Sequence, residues 1–357
     1  MSLEDQSIRS TDNDASLSRE SAVQQGYLVD PFSSYFATQQ KEQSSRRPPL
    51  INVGTHLRTW SIDKLFHEFL SCSSTTEKKR QVVSIGAGSD TRAFRLFEKY
   101  KQQAQSQSQS QEQCSLKYLE IDFEQVTRQK VKTILLNERL RNLCVDIEDG
   151  DSASSETNLS SLQSSNYVLL PFDLRRAFAP VPPISTQSQS QTSTTSSFAD
   201  LILSNIDPNV PTLLLAECVF VYMAPLQSQK LISWFADNLS EIGAITYEMT
   251  NPDDAFGRVM VRNLNARGLS LPGLAVNTTI QSQATRLKAA KFDHADVHSL
   301  LTVRQKFVPR EELQRIAKLE LLDEVEELNL MISHYAVAWA YKTKLALNES
   351  AFYSFKL

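Results

Sequence analysis

A β-branched run, Val82-Val83-Ser84-Ile85, stops at two closely spaced glycines, Gly86 and Gly88, and a helical pattern follows at once. Ala93, Leu96, Phe97 and Tyr100 recur at i, i+3, i+4 and i+7, the spacing of one helix face. Strand, tight glycine turn and helix, in that order, are the opening unit of an α/β sheet. The 357 residues include only 9 glycines, so two at one strand end mean that the backbone there must turn sharply or approach something closely. The rhythm then repeats. Tyr118–Ile121 predicts a second strand, with a helix from about Phe123 to Leu140. Tyr167–Leu170, Thr212–Ala216 and Ala244–Glu248 predict three more strands, and Pro225 is placed to open the helix after the fourth. Such continuously apolar strands imply a mostly parallel sheet with helices on both faces. Ile62, Leu65, Phe66 and Phe69 mark an amphipathic helix outside this rhythm, and His334–Tyr341 an edge or antiparallel strand.

Three Gln-, Ser- and Thr-rich segments interrupt the pattern, at residues 102–113, 151–165 and 185–197. None can bury enough apolar surface to offset its ordering entropy, and closing a long loop adds little. They are expected as surface insertions in a single domain of residues 16–345, flanked by a disordered N-terminus, 1–15, and a C-terminal tail, 346–357. A net charge of −4 sets up no general field for nucleic acid. The longest apolar stretch, Leu213 to Ala224, is too short to span a membrane, and the polar N-terminus has no signal-peptide core. Cys72, Cys114, Cys144 and Cys218 contain no CxxC pair and read as free thiols of a reducing compartment. The expectation is a cytoplasmic monomer with access to the nucleus, binding neither nucleic acid nor membrane.

In doubly wound sheets, ligands bind beyond the C-terminal ends of the strands. Here those ends carry the glycine pair and three acids. Asp122 closes the second strand, 34 residues beyond Gly88, or 22 once the 12-residue insertion is discounted, where a ribose-hydroxyl acceptor belongs. It suits a helix N-cap equally well. Asp173 follows the third strand and could instead pair with Arg175 or Arg176. Glu217 sits inside LLLAECVFVYMA, where a carboxylate must be paired, neutral or facing a cleft. A cleft acid there suits a cationic ligand such as S-adenosylmethionine. No Walker A lysine motif and no third Rossmann glycine is present, which demotes nucleoside triphosphates and NAD. His294 and His298 are spaced i, i+4, but HADVH is not HExxH, and no metal site is expected.

Asp30-Pro31-Phe32, the run Pro49–Leu57 before Arg58, VVSIGAGSDTRAFRL, YLEIDF, FDLR, LLLAECVFVYM, Tyr247-Glu248, Phe256-Gly257-Arg258, Leu322-Asp323-Glu324, His334-Tyr335 and Trp339-Ala340 together resemble the leucine carboxyl methyltransferase family. The resemblance covers about residues 15 to 342, and the three insertions have no place in its pattern. It implies a class I S-adenosylmethionine-dependent methyltransferase fold, Rossmann-like, with an added helical lid. The substrate it implies is the C-terminal leucine carboxylate of the protein phosphatase 2A catalytic subunit, engaged through its tail and active-site face. By motif, the cofactor residues would be Arg58, Gly86, Asp122, Asp173, Leu174 and Glu217, and Arg19 loosely matches a basic cofactor contact. Arg58 and Tyr222 are the candidates for holding the substrate carboxylate, although Arg58 also suits a solvated helix start and Tyr222 a plain core position. An α-carboxylate is ionised at neutral pH, so no general base is required. The alternatives are a carboxyl O-methyltransferase acting on a small molecule or on a tRNA wybutosine precursor, and a non-catalytic adaptor that keeps the fold.

Overall fold

Strands β1 (Lys79–Ile85), β2 (Ser115–Asp122), β3 (Leu162–Gln163), β4 (Tyr167–Pro171), β5 (Thr212–Glu217), β6 (Ile242–Met249), β7 (His294–Ser299) and β8 (Tyr335–Lys342) form one sheet in the computed structural model. Their spatial order is β3-β4-β2-β1-β5-β6-β8-β7. The structure describes residues 3–37, 46–71, 79–106, 115–147, 159–178 and 197–357. The five central strands run parallel, and β3, β8 and β7 join by antiparallel pairing. From β1 the chain builds outward through β2 to β4, then crosses back to lay β5 on the other side of β1. The reversal opens a crevice above β1 and β5, the place where such sheets bind ligands.

Helices in chain order are α1 (Leu3–Gln24), α2 (Ser33–Phe36), α3 (Pro49–Ser71), α4 (Arg92–Ser106), α5 (Glu124–Leu136), α6 (Glu138–Arg141), α7 (Phe198–Leu203), α8 (Pro225–Asn238), α9 (Ala255–Ala266), α10 (Ile280–Ala289), α11 (Leu300–Lys306), α12 (Arg310–Ile316) and α13 (Val325–Ser333). Side chains of successive strand residues point to opposite faces. Val82, Tyr118, Leu213 and Ile245 therefore pack with Phe66 and Phe69 of α3, Phe94 of α4 and Ile134 of α5. Val83, Leu119, Leu214 and Ala244 pack with Phe198 of α7, Leu231 and Phe235 of α8 and Leu287 of α10. Burial on both faces is the reason these strands read as unbroken apolar runs. Among the described residues, no helix is long and apolar enough to cross a membrane.

The five parallel strands and the amphipathic helix α3 lie where the periodicity predicts them. The helix after β2 comes in two pieces, because Asn137 is extended (φ −108°, ψ 107°) between α5 and α6. Residues 3–15, expected as disordered, form the first half of α1. The strand predicted at His334–Tyr341 is β8, antiparallel but one place in from the edge, and the edge is β7, whose polar sequence HADVHS carries no strand pattern. Of the low-complexity segments, residues 102–106 continue α4, Leu162–Gln163 form β3, and Ser197 caps α7 through a reciprocal capping box with Asp200. Residues 107–113, 151–158 and 185–196 lie outside the described residues.

The tail, 346–357, anchors in the core through Ala351, Phe352 and Phe355. Phe352 is fully buried, stacks on Phe69 at 5.1 Å and touches Phe355 at 5.2 Å. Glu241 accepts hydrogen bonds from the Ser350 hydroxyl (2.5 Å) and the Ala351 N–H (2.8 Å). Phe352→Ala is expected to destabilise the chain by about 3–5 kcal/mol, because it empties a closed site. Urea unfolding measures this as a lower midpoint at unchanged slope.

Candidate active site

A cavity of about 380 Å³ occupies the crevice above β1 and β5. Its floor is the strand ends, and α1, α3, α9 and α13 close over it, with Arg19, Arg58, Leu264 and Met331 among the residues they contribute. Gly86, Asp122, Asp173, Leu174, Glu217, Arg58 and Tyr222 all line this one space, so the topology brings together every predicted site residue. Arg19 joins them.

At the first end, Gly86 and Gly88 have φ of +62° and +49°, a conformation that side chains rarely adopt. A Cβ on Gly86 would lie 2.5 Å from Val219, and one on Gly88 would lie 2.4 Å from the Asp12 carboxylate. Asp122 accepts hydrogen bonds from the N–H of Gly88 (2.7 Å) and of Phe123 (2.6 Å). It thus secures the glycine turn, but it is not the helix cap that the sequence also allowed, since Phe123 is the N-cap of α5 and no side chain caps it. Burial pushes its carboxyl up to about 7, helped by the nearby Asp12 charge and opposed by the two N–H groups. Asp12, on α1, accepts from both the N–H and the hydroxyl of Ser89 at 2.7 Å. No sequence motif marks Asp12, because its partner is 77 residues away.

Charge is organised around Arg92, which is 2% exposed. Its guanidinium donates to Asp63 (2.8 Å), to Glu217 (2.9 Å) and, through a very short bond, to Asp90. Asp90 also pairs with Arg19 at 2.8 Å, and its backbone carbonyl accepts from Lys130 at 2.7 Å. Lys130 in turn meets the buried Glu120 at 2.5 Å. Glu217 is therefore a paired acid. Arg58 Nε donates to it at 2.5 Å, while Arg92 holds its other oxygen. Burial alone would raise the Glu217 carboxyl, but Arg58 and Arg92 hold it below the ordinary carboxylate range. Asp173 takes the pairing open to it: Arg175 binds both its oxygens (2.9 and 2.8 Å) and reaches Asp5 of α1 at 2.6 Å.

The opposite end is aromatic. Tyr247 and Tyr335 stack at 5.4 Å, nearly parallel at 6°, and the Arg58 guanidinium lies 5.0 Å from the Tyr247 ring centre. Tyr222, Met249 and Leu264 complete this apolar end of the cavity, with Val221 and Leu274 packed behind them. Burial, first, and then the neighbouring Cys218 and Tyr335 raise the Tyr222 hydroxyl well above its ordinary range, so it stays a hydrogen-bond donor at neutral pH. Cys218, a free thiol with φ +54°, lies beside Glu217, and burial pushes it up to about 12. Cys144 is also free, and Cys72 and Cys114 lie outside the described residues. Among the described residues, no group of three or more His, Cys, Asp or Glu is arranged to hold a metal ion.

A sequence model of the leucine carboxyl methyltransferases matches residues 7–236. The chain is 40% identical to leucine carboxyl methyltransferase 1 of Cryptococcus neoformans, over 95% of its own length and 94% of that protein. It is 36% identical to the Aspergillus fumigatus protein of the same name, over 100% and 88%, and 31% identical to the Bos taurus one, over 97% and 93%. The chain belongs to the leucine carboxyl methyltransferase family. Its mostly parallel sheet is that of a class I methyltransferase, and the glycine loop, the strand-end acids and Arg58 converge on one cavity. Three members of the site escape a linear reading: Asp12, Arg92 as a hub, and the Tyr247–Tyr335 stack.

Two predictions follow from the charges. Arg92→Met leaves three buried or half-buried acids without their shared cation, and is expected to cost about 3–5 kcal/mol in urea unfolding. The folded-state pKa of Asp122 is raised, so this group contributes stability below the unfolded value of roughly 4 and loses it as pH rises through about 7. Asp122→Asn should flatten that part of the stability profile between pH 4.5 and 8, followed by melting temperature.

Proposed function

We propose that this protein transfers a methyl group from S-adenosylmethionine to the α-carboxylate of the C-terminal leucine of the protein phosphatase 2A catalytic subunit, forming a methyl ester that regulates phosphatase assembly. The observation that carries this reading is the polarity of this cavity, with a glycine turn and Asp122 at one end and an aromatic, apolar wall beside Arg58 at the other. The donor set suits the cofactor. Gly86 offers backbone with no Cβ, Asp122 an acceptor for ribose hydroxyls, Asp173 and Leu174 the neighbouring wall, and the Glu217–Arg58 pair both signs of charge for an amino-acid end. When bound, S-adenosylmethionine supplies an electrophilic methyl group.

The chain's own task is placement. The substrate carboxylate has an ordinary pKa near 3.5, so it arrives ionised and no side chain need remove a proton. The Arg58 Nε is taken by Glu217, and its Nη groups make no hydrogen bond among the described residues, which leaves them for a carboxylate. Tyr222, held in its protonated form, donates a second hydrogen bond. Met249 and Leu264 line space of the right character for a leucine side chain, with Val221 and Leu274 packed behind them. The roof formed by α1 and α9 excludes water from the carboxylate, and alignment within that enclosure supplies the rate.

Labelled methyl transfer to the intact phosphatase catalytic subunit is expected, with none to a subunit lacking its terminal leucine. Transfer to the truncated subunit contradicts this substrate, and transfer to neither form favours the small-molecule or tRNA alternatives instead. Tyr222→Phe should lower kcat/KM for the protein substrate by about 10- to 100-fold, the value of a hydrogen bond to a charged group, and leave S-adenosylhomocysteine affinity unchanged. The expected setting is the cytoplasm, with nuclear access, and the expected state a monomer.

A further inference from the structure

Near its end, before Met249, strand β6 carries Tyr247 and Glu248, whose side chains point to opposite faces. Tyr247 lines the cavity, whereas Glu248 lies behind it and is 2% exposed. A carboxylate in that place needs partners. It finds them in three successive backbone N–H groups of the segment that leaves β5: Val219 (3.2 Å) and Phe220 (2.8 Å) on one oxygen, Val221 (3.2 Å) on the other. These are the donors that open the short 3₁₀ turn Phe220–Tyr222, and Val219, at its N-cap, provides no side-chain cap. A residue from the next strand satisfies them instead. Arg286 of α10, 5% exposed, brings the balancing charge, with its guanidinium 4.6 Å from the Phe220 ring centre. Burial pushes the Glu248 carboxyl up to about 6, against the pull of Arg286 and the three N–H groups.

The segment held this way is the wall of the site. Cys218 N–H continues the β5–β6 ladder to the Tyr247 carbonyl at 2.7 Å, and the chain then turns through φ +54° at Cys218, a conformation that a non-glycine residue adopts only when its surroundings impose it. On one side of the turn is Glu217, bound to Arg58 and Arg92. On the other are Val219, against Gly86, and Tyr222, in the cavity. We propose that Glu248 is a positioning residue: by gathering the N–H groups of residues 219–221, it imposes the turn at Cys218 and so fixes Glu217, Val219 and Tyr222 relative to the glycine loop. The effect on cofactor binding rests on the reading of the cavity given above.

The test is calorimetric titration of S-adenosylhomocysteine into the full-length wild type, Glu248→Gln, Cys218→Gly and the double variant, with the melting temperature of each unliganded protein. Glu248→Gln turns one acceptor toward an N–H into an NH₂ group, and binding is expected to weaken by about tenfold or more, the equivalent of roughly 1.4 kcal/mol. Glycine adopts φ +54° without strain, so the loss should be smaller when Glu248→Gln is made in the Cys218→Gly background. A Kd within about twofold of wild type, whatever happens to the melting temperature, overturns the proposal, since that is the signature of a merely structural group. An equal loss in both backgrounds overturns it as well. If Glu248→Gln does not fold, Glu248→Asp, which withdraws the carboxylate by one methylene, carries the same comparison. Wild-type protein that fails to bind S-adenosylhomocysteine contradicts the cofactor reading instead, and the two failures are distinguishable.

Discussion

One buried guanidinium ties the site to the fold. Arg92 begins α4, immediately after the glycine loop, and binds acids from three other places: Asp63 on α3, Asp90 in the loop itself, and Glu217 at the end of β5. Removing a charge from water costs several kcal/mol unless the partners are well placed, so each of these elements is held where the guanidinium fork requires it. The glycine turn, the strand across the switch point and the helix bearing Arg58 become a single unit. Arg58 then closes the circuit from the cavity side by taking the free edge of Glu217.

This arrangement explains how an acid can stand at a ligand-binding strand end without being bare. Asp63 is held down at about 2, and Glu217 below the ordinary carboxylate range, in both cases because arginines outweigh burial. Asp122 is the exception. It has backbone donors but no direct cation, and its carboxyl, like that of Glu248 on β6, rises toward neutrality. The site thus combines a permanently ionised pair at one strand end with an acid responsive to pH at another, separated by the width of the crevice.

The central sheet and its ligand-bearing ends were legible because their physics is local. Val82–Ile85, Tyr118–Ile121 and Thr212–Ala216 are buried on both faces, and the acids stand out by ending apolar runs. Helix α1 was not legible. Its first half is polar, which ordinarily signals disorder, yet Asp5, Asp12 and Asp14 dock it through Arg175, Ser89 and Arg267, partners more than 70 residues away. Strand β7 was hidden for a similar reason: as an edge beside β8, it gains its order from pairing, and its own side chains need not be apolar. Glu217 shows a partial success, since its need for a partner follows from its burial, while the identity of that partner follows only from topology.

The account stands on the cavity being bound from both ends at once. A structure determined with S-adenosylmethionine and a leucine-ended peptide tests this most directly. It should place the ribose hydroxyls on Asp122, the methyl group toward the Tyr222 side of the cavity, and the peptide carboxylate within hydrogen-bond distance of Tyr222 or Arg58. A cofactor lying away from Asp122, or a carboxylate held by neither Tyr222 nor Arg58, would contradict it.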